Sequence, residues 1–97
     1  MANSLGTNPV RIDTAVKLDF KEGVLVMGME WADDALAAGG ALTAGDDLEM
    51  VINGCPVSIT ASSTWPVAWT RNFSQPILIF GINVTKIDGG TLYIWKG

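Results

Sequence analysis

The chain has 97 residues, 48% of them hydrophobic and only 16% charged, with a net charge of −4 and a pI near 4.4. That length suits one domain, and the acidic balance excludes the basic footprint on which nucleic-acid binding depends. With no histidine and one cysteine, Cys55, the chain can form neither an internal disulfide nor a His/Cys zinc cage.

Residues 1–8 read as an extended arm closed by Asn8-Pro9, a step that disfavours helix. Val10 to Asp13 follows as a short edge-like strand. Val16 to Phe20 alternates apolar and charged residues, the pattern of a strand with one wet face. Glu22-Gly23 is expected to form a tight turn into Val24 to Trp31. That run is almost continuously apolar, so both its faces should be covered, one by the core and the other by a candidate partner. Ala32 to Gly45 reads as loop, with Asp33 able to cap at most one helical turn over Asp33 to Ala38.

Asp47 to Asn53 alternates again, and Asn53-Gly54 is the strongest hairpin signal, because a type I′ turn needs positive φ at both central positions. The return strand, Cys55 to Ala61, places Cys55 with Val57 and Ile59, so the thiol is expected in the core. After a polar Ser62-Ser63-Thr64 break, Pro66 confines Trp65 to Trp69 to a sheet edge or loop. Pro76 to Ile87 is a long apolar strand with a bulge or bend expected at Gly81. Asp88-Gly89-Gly90 then turns the chain into a last strand, Thr91 to Lys96. The expected fold is all-β: a small antiparallel β-sandwich, jelly-roll or Ig-like, of about 7–8 short strands over residues 9–97, preceded by the arm.

Catalytic chemistry finds no foothold in this pattern. The serines have no evident base, and Asp33-Asp34 and Asp46-Asp47 are adjacent pairs whose side chains diverge in a strand. In loops these acids fit Asx turns and caps better than a calcium site, whose alternating ligands are missing. The glycine pairs lack the Gly-Lys-Ser/Thr of a phosphate loop. Neither an enzymatic role nor a cofactor or metal is therefore expected. The start has no basic and apolar leader pattern and no stretch is long enough to span a bilayer, so synthesis in a cytoplasm is expected, with the sequons at Asn72 and Asn83 being chance matches. The aromatics are the remaining lead. Trp31 and Trp95 end apolar strands and fit core or rim positions, whereas Trp65 and Trp69 share one face beside a proline. They fit protein anchors, sugar-stacking platforms shared with Tyr93, or core-facing edge residues.

The opening Asn8-Pro9-Val10-Arg11-Ile12-Asp13-Thr14-Ala15, the Gly28-Met29-Glu30-Trp31 step, the hairpin from Ala44 to Gly54 and the close from Ile87 to Gly97 together resemble the small all-β virion proteins of tailed bacteriophages. Among these are the capsid cement or decoration proteins. The resemblance is one of layout over most of the chain, and the Ala32 to Gly45 loop is longer and richer in alanine than the family's pattern. It implies a virion protein on the capsid surface that binds the major capsid protein and itself, as a trimer or dimer, and reinforces the shell. The contact residues it implies are Met1, Ala2, Asn3 and Leu5 of the arm, with Trp65 and Trp69. The alternatives are a carbohydrate- or receptor-binding module of a head fibre or tail, and a tail or connector component.

Overall fold

In a computed structural model of the chain, which describes residues 3, 6–61 and 67–97 (backbone only at 67 and 68), every regular element is a strand. They are β1 (Val10–Ile12), β2 (Val16–Ala32), β3 (Asp47–Ile52), β4 (Cys55–Thr60), β5 (Val67–Ile87) and β6 (Thr91–Lys96). All pairings are antiparallel, and the strands form one sheet in the order β1-β6-β2-β5-β3-β4.

Six strands stand where the turn signals predict seven or eight, because two pairs of predicted strands are continuous. Glu22-Gly23 does not reverse the chain. β2 and β5 pair along their length, and the register passes from Asp19↔Gly81 to Val24↔Ile79, so residues 20–23 of β2 bulge opposite Phe80. Gly23 permits this with φ +81, a left-handed value that a side chain would strain. The bulge expected at Gly81 therefore lies in the facing strand. In the same way the segment that ends at Trp69 continues into the run beginning at Pro76. Residues 73–76 of β5 bulge opposite Met27, between the pairs Val26↔Ile77 and Gly28↔Asn72, which gives Pro76 a place without a ladder bond to donate.

The bulges let the sheet curl. The first half of β2 pairs with β5 alone, and its second half lies between β5 and β6. Val10, Ile12, Leu92 and Ile94 from one end of the sheet share a buried cluster with Leu48 and Met50 near the other. The smallest dimension of the molecule is 22 Å, too thick for one flat layer when face-packed sheets lie about 10 Å apart. Trp31 sits at the centre of this cluster, fully buried, between register partners Trp69 and Leu92.

Local expectations fare unevenly. Asn53 and Gly54 both have positive φ, at 50° and 82°, and join β3 to β4 as the hairpin signal requires. No helical turn forms at Asp33. Asp34 makes the turn instead, its Oδ1 accepting from the Leu36 N–H at 3.0 Å, while Asp33 Oδ1 reaches across the loop to the Leu42 N–H at 2.8 Å. Cys55 is exposed rather than buried. Its register partner is Ile52, the last residue before the turn, so the thiol lies at the hairpin tip beyond the core that half-buries Val57 and Ile59.

Candidate functional site

Of the residues the resemblance marks for contact, Met1, Ala2, Leu5 and Trp65 lie outside the described residues. Asn3 is tied to the body: its Oδ1 accepts from the backbone N–H of Asp13 at 2.9 Å and of Thr14 at 3.2 Å. Next to Pro9, Asn8 Oδ1 accepts from the Lys96 N–H at 2.9 Å while its side-chain amide donates to the Lys96 carbonyl at 3.1 Å. Trp69 is half-buried against the core and opposite Trp31, so it offers solvent only part of its ring. The structure thus does not assemble these residues into one exposed site.

What it assembles is an apolar stripe on the face of the sheet away from the core. In β2, Val26, Met29 and Trp31 are buried while Leu25 and Met27 point outward. Leu25 and Leu78 are register partners and so lie side by side on one face. Phe80, two residues further along β5, shares that face. Leu78 Cδ1 and Phe80 Cε1 both lie over Gly23, where an added Cβ would meet them at 2.7 and 3.0 Å. At the other end, Met27 and Trp95 line a depression of about 430 Å³ with Asn72 and Phe73, and Gly28 is its floor. An added Cβ on Gly28 would stand 2.9 Å from Asn72 Oδ1 and 3.0 Å from the Arg71 carbonyl oxygen, so a side chain there would push against β5. Trp95 leans on Tyr93, with ring centroids 5.8 Å apart and planes tilted by 33°. Leu25, Met27, Leu78, Phe80 and Trp95 are each 36 to 52% exposed, forming one path across β5, β2 and β6.

β2 needs apolar residues inward for the core, and nothing in the core explains its outward Leu25 and Met27. The hairpin tip holds the facing segment of β5 in place. Asn53 Oδ1 accepts from the Phe80 N–H at 2.8 Å, and its amide donates to the Leu78 carbonyl at 3.2 Å. The almost continuously apolar run Val24 to Trp31 points to a second covered face, whereas Leu78, Phe80 and Trp95 join it only through register.

Charge is segregated around this face. Lys17 and Asp19 line a hollow with Phe80, Lys96 borders the one beside Trp95, and Arg11 and Glu30 flank Tyr93 in the register. Those three cations and two anions nearly cancel, so the chain's negative charge resides elsewhere. It gathers around the 33–46 loop, where the acids brace backbone as the Asx reading expects. Asp13 Oδ2 accepts from the Ala38 N–H at 3.0 Å, Asp46 Oδ2 from the Thr43 N–H at 2.8 Å and Asp88 Oδ2 from the Asp47 N–H at 2.8 Å. Among the described residues no three His, Cys, Asp or Glu side chains are grouped to hold a metal ion.

Asp47 and Lys86 anchor the edge of this acidic region. Thr60 Oγ1 donates to Asp47 Oδ1 at 2.6 Å, and Lys86 Nζ lies 3.3 Å from Asp47 Oδ2 and 3.7 Å from Asp88 Oδ2. The hydrogen bond from Thr60, followed by that from Lys86, holds the Asp47 carboxyl below its ordinary value of 3.8. The hydrogen bond to Asp47, followed by the charge of Asp88, raises the Lys86 ammonium above 10.5. A depressed carboxyl stabilises the fold above its unfolded pKa and loses that contribution as pH falls through its folded value. The raised ammonium contributes below its unfolded pKa and ceases to as pH rises through its folded value. Thermal melts should therefore be insensitive to this pair between about pH 5 and pH 9. Asp47→Asn should remove a small part of the fall in Tm below about pH 4; identical acid limbs in the two proteins would refute the assignment.

Compared with family models, with curated proteins and with solved structures, the chain matches none.

Proposed function

We propose that the chain is a non-catalytic structural subunit, working by protein–protein contact in the form that its layout resembles: a cement or decoration protein of a tailed-phage capsid. In this reading the curled sheet serves as a two-layer sandwich, the N-terminal arm and Trp65 reach the shell, and no cofactor is used. The observation that carries it is the stripe of Leu25, Met27, Leu78, Phe80 and Trp95. A contiguous exposed apolar path, in a chain with so few charges, is what a surface covered on assembly requires. The bracing roles of the loop acids support the same reading, since they leave those carboxylates to structure rather than to a substrate.

The test is binding of the purified chain to expanded capsids assembled without it. Co-sedimentation should saturate at a fixed number of copies per lattice unit and raise the temperature at which the shell releases its DNA. A chain that stays in the supernatant at all concentrations overturns the proposal.

A further inference from the structure

We infer that the stripe is covered by a second copy of the same chain, packed about a twofold axis that passes beside Leu25. This rests on the reading of the chain as an assembly subunit and names the partner of its apolar face. The first argument is shape. Phe80, the most exposed residue of the stripe at 52%, stands at one end, and the hollow floored by Gly28 lies at the other, with Leu25 between them. A twofold axis at Leu25 carries each end onto the other, so the Phe80 of one copy meets the hollow beside Trp95 of its partner. An isologous contact requires such a projection and recess on one surface.

Area and charge agree. The stripe leaves on the order of 500 Å² of apolar surface per copy, at the large end of what a monomer exposes. Its polar rim brings this towards the roughly 800 Å² that each partner contributes to a stable interface. Two chains of net charge −4 repel, yet the flanks of this face are nearly neutral, with Lys17 and Asp19 at one end and Arg11, Glu30 and Lys96 at the other. Lys17 and Asp19 beside Phe80 are brought towards Glu30 and Lys96 beside Trp95, while the acidic loops stay clear of the contact. A partner chosen for an acidic surface would call for a basic rim, and this one is balanced.

The experiment is sedimentation equilibrium of the full chain and of Leu25→Lys and Leu25→Glu, with circular dichroism confirming that each variant is folded. Residue 25 is exposed and lies in a strand, so both substitutions leave the core intact. The wild-type chain should run at twice 10.3 kDa, and each variant alone at 10.3 kDa, with association at least about a hundredfold weaker because like charges meet at the axis. Mixing the two variants should restore the dimer, since the ammonium introduced in one copy then faces the carboxylate introduced in the other. A monomeric wild-type chain, a dimer indifferent to either variant, or a mixture that stays monomeric overturns the inference. Capsid binding read in parallel separates the two proposals: a monomer that binds shells removes only the dimer, and a dimer that ignores them removes only the cement role.

Discussion

Trp31→Ala should lower the unfolding free energy by about 4–6 kcal/mol, close to the whole stability of a domain this size. The indole is fully buried at the meeting point of β2, β5 and β6, and its Nε1–H donates to the Gly89 carbonyl at 2.9 Å. Truncation removes the largest fully buried side chain among the described residues, leaves a cavity, and strands a buried carbonyl. Trp31→Phe separates these effects: it keeps most of the packing and loses the hydrogen bond, for about 1–3 kcal/mol. Urea titrations followed by far-ultraviolet circular dichroism would show it as a fall in midpoint at unchanged slope. A midpoint for Trp31→Phe equal to wild type would mean that the Gly89 bond contributes nothing.

Gly90→Ala is expected to destabilise by at least about 2–4 kcal/mol, with no apolar contact removed at all. Gly90 has φ +68, and a Cβ there would stand 2.5 Å from the Ala32 carbonyl oxygen and 3.2 Å from Leu42 Cβ. Its N–H donates to the Gly40 carbonyl at 3.0 Å, so the turn is clamped between the end of β2 and the long loop. The substitution forces either a strained backbone or a retreat of that loop. Melting curves should show Tm lower by about 8 °C or more. Gly54→Ala, at φ +82 with nothing within 4 Å of its Cβ, isolates the backbone strain and should cost less. Equal losses at the two positions would show that the contact with Ala32 is unimportant. Because Trp31 holds the carbonyl of the neighbouring Gly89, the Trp31→Phe and Gly90→Ala effects should be non-additive.

The all-strand composition, the Asn53-Gly54 hairpin and the last strand were legible because each depends on residues adjacent in the chain. Turn geometry at Asn-Gly and period-two alternation are local properties, and from Leu92 to Trp95 the last strand alternates between more and less buried residues. Cys55 departs from its expected place for the complementary reason: alternation assigns it a face but does not reveal how far along the strand the core extends. The stripe was half legible. An apolar run from Val24 to Trp31 announces two covered faces, but which outward residues of β5 and β6 stand beside it depends on register across distant strands.

By itself the sequence determined that this protein is built from strands, that it lacks histidine and any disulfide within the chain, and that its apolar content exceeds what so small a chain readily hides. Only the tertiary structure decided that Glu22-Gly23 is a bulge within one long strand and that Leu25, Leu78, Phe80 and Trp95 form a single face. The physical reason is the same for both. A glycine with positive φ serves a hairpin and a bulge equally well, and the choice falls to whether a partner strand continues alongside. Here β5 runs past the bulge for its full length, keeps β2 from turning back, and carries its own apolar residues onto the outer face.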